Sequence, residues 1–383
     1  MFLQLANKYL NPNLSGRYIT NSHIEPELKS LKNDFKIITE GKSVQDRNVY
    51  SVQVGTGNTK VLIWSQMHGN ESTTTKGLFD FFNFLNSEDE LALKIKEKYT
   101  LLCIPILNPD GAFVNTRVNA NDIDLNRDAF DVTQPESKLL RALYIKFNPD
   151  YCYNLHDQRT IFGTEGSKLP ATMSFLAPSY NVECDFNETR FKAIKIINRI
   201  NKELQSVIPN QIGRFDDAFN INCVGDYFTS QGTPTVLFEA GHYANDYQRD
   251  EVRKFVFISL ISSFLDVEKS SGFDNEINEY LNISQNSKCF FDFIYRNVRI
   301  IENSEEKIIN FAAQFKEELV GDNVDFVAEI IQIDSLEYSF GHIEYDCKGM
   351  IFSSSYGNLP KIQEKANFYL NNLLKYSNGL LIL

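Results

Sequence analysis

No run in the chain approaches the roughly 18 consecutive apolar residues needed to cross a bilayer, so nothing in it reads as a membrane span. There is also no Cys-x-x-Cys pair. The six cysteines (Cys103, Cys152, Cys184, Cys223, Cys289, Cys347) are scattered, several of them inside apolar runs. They read as buried free thiols of a reducing compartment. Positive charge is scarce: 38 basic against 50 acidic side chains leave a formal net charge of -12. That balance argues against a nucleic-acid backbone or an anionic membrane surface as partner. The opening MFLQLANKYLNPNLSG lacks a basic start followed by a sustained apolar core and a small-residue cleavage site. No secretory signal is therefore expected, and the location expected is cytoplasmic. Internal repeats and low-complexity tracts are absent as well.

What is present is enough apolar material for sizeable cores: 43% of 383 residues are hydrophobic. At roughly 100 to 200 residues per domain, this length suggests two domains, and a change of texture near residue 270 places them at 1–269 and 270–383.

The most informative stretch is Val61 to Gly77, VLIWSQMHGNESTTTKG. Val61 to Trp64 is a β-branched and aromatic run that reads as a strand buried on both faces. His68 and Glu71 follow it, and Ser72 to Thr75 then offer hydroxyls at the mouth of a helix. Leu78, Phe81, Phe82 and Leu85 recur at three and four residue spacing, which predicts a helix turning one apolar face to a sheet. His68 and Glu71 thus fall beyond a strand's carboxyl end, where open α/β sheets place ligands. An imidazole and a carboxylate three residues apart can share one small cation.

Along the chain, residues 1 to about 34 suggest a short helical lead-in. Phe35–Thr39 and Val49–Val54 suggest a strand hairpin, and Tyr99–Leu107 a further buried strand ended by the turn signal Asn108-Pro109-Asp110-Gly111. A polar, asparagine-rich loop from Ala112 to Phe130 carries Arg117 and Arg127. Helical spacing covers Ser137–Phe147. A strand from Asp150 to Leu155 ends at His156. An irregular stretch precedes a helix at about Glu188–Val207, and a strand from Pro234 to Phe238 ends at Glu239, before an amphipathic helix at Val252–Leu265. Alternating strands and helices indicate an α/β fold with a mixed, mostly parallel sheet covered by helices on both faces. Beyond residue 270, Cys289–Glu302, Val324–Ile333, Tyr338–Tyr345 and Gly349–Ser353 alternate like strands, indicating a smaller C-terminal domain of β or α+β type.

Taken in order, H-G-N-E after one strand, N-P-D-G after the next, N-T-R-V-N-A-N-D-I-D-L-N-R, a histidine at a third strand end and F-E-A-G near residue 240 resemble the zinc metallocarboxypeptidases of the carboxypeptidase A type. The resemblance spans roughly residues 45 to 268. It implies a carboxypeptidase-like fold for the first domain and leaves the second, an accessory β-rich domain, unassigned.

The resemblance also implies that His68, Glu71 and His156 hold zinc, leaving a position for water, an open arrangement that suits catalysis. Glu239 would be the general base that activates this water together with zinc. Arg117 would polarise the scissile carbonyl, Asn126 and Arg127 would grip a terminal carboxylate, and Asp124 would orient His68. The expected function is hydrolysis of an amide next to a free carboxylate, as a carboxypeptidase or peptide amidase. The substrate is a peptide or an acyl amino acid with a free carboxylate. Deacylation of N-acyl amino acids on the same fold is the alternative, and a binding protein without catalysis is disfavoured because ligands, base and arginines are all present.

The chain departs from the family pattern in one respect. The tyrosine that closes over the substrate is expected about twenty residues before Glu239, where Phe215 and Phe219 stand, and Tyr227 lies too close to Glu239. Asp226 hints at either a polar pocket or a helix cap. His242 reads as structural or as a support for the site, and His23 and His342 receive no role.

Overall fold

A computed structural model describes residues 2–32, 34–265 and 272–382. By contacts the chain forms two compact units, residues 1–158 with 164–286 and residues 159–163 with 287–383. The boundary expected between 269 and 270 lies outside the described residues.

The strands in chain order are β1 (Lys36–Lys42), β2 (Asn48–Val54), β3 (Thr59–Ser65), β4 (Tyr99–Ile104), β5 (Tyr151–Asp157), β6 (Phe162–Thr164), β7 (Met173–Leu176), β8 (Ile212–Arg214) and β9 (Thr235–Ala240). The main sheet of the first unit has the order β1-β2-β4-β3-β5-β9-β7-β8. Its central strands β4, β3, β5 and β9 run parallel. The flanking pairs β1–β2, β2–β4 and β7–β9 are antiparallel. The chain leaves β3 for β4 on one side and then crosses to β5 on the other. The carboxyl ends of β3 and β5 therefore form a topological switch point, the crevice in which such sheets bind ligands.

The two faces of the sheet bury different cores. Val61, Ile63, Tyr153, Leu155 and Phe238 pack with the helices Thr73–Leu85, Glu188–Gln205 and Val252–Ser263. Leu62, Trp64, Leu102, Ile104 and Cys152 pack with Leu140, Leu143, Val224 and Phe228, from the helices Pro135–Phe147 and Val224–Ser230. The α/β class read from the sequence is the architecture found.

The helix Thr73–Leu85 is not amphipathic in its setting. All its residues except Asn83 are buried, because the helices Phe2–Tyr9 and Val252–Ser263 pack against it in addition to the sheet. Gly77 allows that crossing: a Cβ there would lie 2.6 Å from Val256 Cγ1. Two charged residues on this helix are therefore buried with partners. Asp80 accepts from Arg253 Nε at 2.8 Å and Nη2 at 2.5 Å, and from Asn11 N at 2.6 Å. Lys76 Nζ donates to Gln248 O at 2.8 Å and Asp250 Oδ1 at 2.6 Å. Arg253 also donates to the carbonyls of Leu14 and Asn11, tying the amino-terminal segment to the core.

Several elements differ from the sequence expectation. The lead-in contains two helices, Phe2–Tyr9 and Asn21–Lys29. The turn at Asn108 opens a short helix, Pro109–Val114, with the Asn108 side chain accepting from Gly111 N at 2.9 Å. The stretch expected to be irregular after His156 supplies β7, and β8 follows the long helix. Both are too short for a periodic signal and are held by long-range pairing, β7 to β9 and β8 to β7. The helices Glu90–Lys98 and Phe273–Leu281 also went unread.

The second unit is β-rich, as expected. After β10 (Asn286–Lys288) come β11 (Phe290–Glu302), β12 (Glu305–Val320), β13 (Asn323–Ile333) and β14 (Phe340–Asp346), in the sheet order β13-β12-β11-β14. The 16-residue β12 was not anticipated, because its charged ends hide the apolar centre around Phe311 to Ala313. A second sheet joins β15 (Phe352–Ser353), β16 (Phe368–Leu370), β17 (Leu374–Ser377) and β18 (Leu380–Ile382). Phe293, Tyr295, Phe311, Phe352, Phe368 and Tyr376 share the core of this unit.

Removing one partner of a buried ion pair strands the other charge. Arg253→Met is expected to lower the unfolding free energy by about 3–5 kcal/mol, read from urea denaturation. A loss below about 1 kcal/mol would show that Asp80 and the amino-terminal segment do not depend on this side chain.

Candidate metal centre

The loop after β3 is pinned before it reaches His68. Gln66, buried and in a left-handed backbone conformation (φ 49°), donates through Nε2 to Ile19 O and Gly69 O and accepts from Thr75 Oγ1. Gly69 has no room for a side chain, since a Cβ would lie 1.9 Å from the carbonyl carbon of Gly111. The backbones of the two loops following β3 and β4 thus touch directly at this point.

Sequence reading offered Ser72 to Thr75 as capping hydroxyls for the next helix. Ser72 Oγ instead donates to Arg17 O, and the cap comes from across the sheet. Asp157, the last residue of β5, accepts from Thr73 N at 2.9 Å and Thr74 N at 3.2 Å. The carboxylate satisfies two otherwise orphaned helix donors at the positive end of the dipole. Through it, β5 and the helix that begins beside Glu71 become one rigid body.

His68, Glu71 and His156 are all buried, and their candidate ligand atoms lie within 4.8 Å of one another. His68 Nδ1 sits 2.8 Å from Glu71 Oε1, and His156 Nδ1 sits 2.8 Å from Glu71 Oε2. The two Nδ1 atoms are 3.1 Å apart. On its far side, His68 Nε2 lies 2.9 Å from Asp124 Oδ1. With that nitrogen donating to Asp124, a neutral His68 turns its Nδ1 lone pair toward Glu71, the arrangement of a histidine that shares a small cation with a carboxylate. Two imidazole nitrogens and one carboxylate, converging and shielded from water, are a donor set suited to a small divalent ion such as zinc.

The proton affinities follow this crowding. Burial raises the Glu71 carboxyl, but His68 and His156 outweigh it and hold it well below the usual carboxylate range. Burial lowers His68, yet Glu71 and Asp124 bring it above its ordinary value. His156 has no second carboxylate behind it, and burial leaves it lowered. Asp124, pushed up by burial, is carried below its usual range by His68 and Arg117.

Glu239 stands on β9 directly across from His156 in the parallel register, so both side chains project from the same face. Its Oε2 is buried with no hydrogen-bond partner. Burial, then Glu71 and Asp157, push its carboxyl far up, while Arg117 and Arg249 act in the opposite direction. An unsatisfied carboxylate oxygen beside a cation-binding cluster is a group held for an incoming partner.

Arg117 is about half exposed; it holds Asp124 Oδ2 through Nε and Nη2, both at 3.0 Å, and lies 3.3 Å from Glu71 Oε1. Its loop is anchored by buried Asn119, which accepts from Asn121 N and Ile123 N and donates to Gln134 and Glu136. Arg117 and Asp124 therefore join the cluster. Asn126 and Arg127 stand at its edge instead. Asn126 Oδ1 accepts from Val224 N at 3.1 Å, and the exposed Arg127 donates to Asn126 O at 2.8 Å and to Cys223 Sγ at 3.1 Å.

Tyr227 is committed elsewhere: its hydroxyl accepts from Arg141 Nη1 at 2.8 Å, and the guanidinium lies 3.8 Å from the ring centroid. Asp226 is buried in the first turn of Val224–Ser230, accepts from Asn220 N, and is pushed up to about 7 by burial. His242 is buried against Tyr247, at 4.7 Å between ring centroids. Sequence reading missed the capping role of Asp157, the contact of Cys223 with Arg127, and the position of Arg249 behind Glu239. Only the acid directly after His156 carried any local signal. The six cysteines are all free; Cys103, Cys152 and Cys347 are buried, and the other three are partly exposed.

A family model described as Zinc carboxypeptidase (Peptidase_M14) matches residues 25–152, which include His68, Glu71, Arg117, Asp124, Asn126 and Arg127 and stop short of His156 and Glu239. Carboxypeptidase 2 of Trichophyton rubrum is 24% identical over 151 residues, covering 38% of this chain and 28% of its own length. Cytosolic carboxypeptidase 6 of Caenorhabditis elegans is 35% identical over 68 residues, covering 18% of this chain and 15% of its own length. The chain thus spans less than a third of these curated relatives. Among solved structures, a metallo-carboxypeptidase from Burkholderia cenocepacia superposes with a TM-score of 0.52 at 17% identity, over 64% of this chain and 68% of that one. A metallo-carboxypeptidase from Pseudomonas aeruginosa, solved with (2-guanidinoethylmercapto)succinic acid, gives 0.51 at 16% identity, over 68% of each chain. These two structures share its fold. Sequence match and fold meet on the same unit: residues 25–152 are similar to the zinc carboxypeptidase family, and the unit that holds them shares the fold of the two metallo-carboxypeptidases.

Proposed function

We propose that this protein hydrolyses an amide bond next to a free carboxylate, with a peptide as substrate. The observation that carries the reading is the convergence of His68, Glu71 and His156 beside Glu239, whose buried carboxylate oxygen has no partner of its own. His68, Glu71 and His156 would hold zinc, which supplies a Lewis acid for the scissile carbonyl and lowers the pKa of water.

Glu239 takes the proton of the attacking water and returns it to the departing amine; its buried position raises its proton affinity toward the range in which one group does both. Asp124 holds His68 by the nitrogen facing away from the cluster, fixing ring and tautomer. Arg117, anchored by Asp124 and open to solvent, places fixed positive charge where an oxyanion develops. Arg127, at the edge of the site, offers a planar fork to the substrate's terminal carboxylate, with Asn126 beside it. The family match and the Trichophyton rubrum relative's name support this direction of reaction.

Metal analysis is expected to find about one zinc per chain, and a chelator should abolish hydrolysis until zinc is restored. Glu239→Gln should keep the zinc and lose on the order of a hundredfold or more in kcat; unchanged turnover would remove Glu239 from the mechanism. Arg127→Ala should raise KM for substrates with a free terminal carboxylate and leave their amidated counterparts nearly unaffected. Equal effects on both would exclude Arg127 as the carboxylate anchor.

A further inference from the structure

One buried charge at the site remains without a role. Arg249 is 1% exposed and lies in the first unit, on the loop that follows Glu239. Its Nη1 donates to Ala240 O at 2.7 Å and its Nη2 to Gln158 O at 2.9 Å. Those carbonyls belong to the residue after Glu239 and the residue after Asp157. In the parallel ladder His156 pairs with Glu239 and Asp157 with Ala240, and Gln158 N donates to Ala240 O at 2.8 Å. The guanidinium therefore continues the pairing of β5 and β9 past its last rung, one prong on each strand. A planar, rigid fork suits a two-point bridge of this kind, and a flexible ammonium does not.

The backbone was bent to put it there. Arg249 has φ +59°, a left-handed conformation that few residues other than glycine and asparagine adopt. The turn is locked by Asp246, whose carbonyl accepts from Arg249 N at 3.1 Å. The Asp246 carboxylate accepts from Asp250, Glu251 and Val252 N at 2.8 to 2.9 Å, so it also starts the helix Val252–Ser263. A strained non-glycine residue held by so built a turn indicates that its side chain is what the position requires.

We propose that Arg249 is a positioning residue for the hydrolysis proposed above. By clamping the ends of β5 and β9 it fixes Glu239 against His156. The inference rests on Glu239 acting as the base, and the test separates the two ideas. Arg249→Gln keeps polar donors without charge; Arg249→Lys keeps the charge and one donor position. Both are compared with Glu239→Gln in the full chain for kcat, KM, bound zinc and thermal melting.

Arg249→Gln is expected to lose on the order of tenfold to a hundredfold in kcat, with KM within about threefold. Zinc content and a cooperative melt above the assay temperature should remain, and Arg249→Lys should recover several-fold of the loss. Full kcat in Arg249→Gln, or no difference between the two Arg249 variants, overturns the proposal. So does a loss accounted for by missing zinc or by an unfolded chain, since Arg249 is then a purely structural residue. Turnover retained by Glu239→Gln would instead refute the proposed function itself.

Discussion

Glu71 lies between two imidazoles and also accepts from Asp157 N at 3.2 Å, and most of the first unit can be understood as the means of keeping it there. A carboxylate and two ring nitrogens at these separations, away from water, are held apart from cheaper arrangements only by the backbone that carries them. Three strand ends supply it. The loop after β3 brings His68 and Glu71, β5 carries His156 one residue before its end, and β9 carries Glu239 one residue before its end. Because β3, β5 and β9 are parallel neighbours, their carboxyl ends open on one rim, and the switch in connection order around β3 keeps that rim clear.

Rigidity comes from groups that touch nothing reactive. Asp157 couples β5 to the helix Thr73–Leu85, so His156 and Glu71 move together. Gln66 and Gly69 set the loop between β3 and that helix, and Asn119 folds the loop that presents Arg117 and Asp124. The same helix is buried on nearly every side, and its ionic residues Lys76 and Asp80 are matched by Asp250 and Arg253. An apolar layer beneath the site and a satisfied polar layer beside it make the loop positions expensive to change.

The positive groups divide by exposure. Arg117 and Arg127 reach solvent, where a substrate can meet them, while Arg249 is sealed behind β5 and β9. Arg141 holds Tyr227 by both its hydroxyl and its ring face. The second unit, with its two antiparallel-rich sheets around Tyr295 and Phe368, has its own core and stands as a separate folding problem.

By itself the sequence determined the α/β class, the central strands, the helices that cover them and the identities of the ligand candidates. Each of these is written in short-range patterns: apolar runs, helical spacing, and polar residues just past a strand. Residues such as His68 and Glu71 sit three apart, so one turn suffices to join them. Only the tertiary structure decided what lies far apart in the chain and close in space. The pairing of His156 with Glu239, the capping of one element by Asp157 from another, the short strands β7 and β8, and the bridge made by Arg249 all depend on sheet order. Sheet order is set by which buried faces pack together across the whole unit, and no local window of residues contains that information.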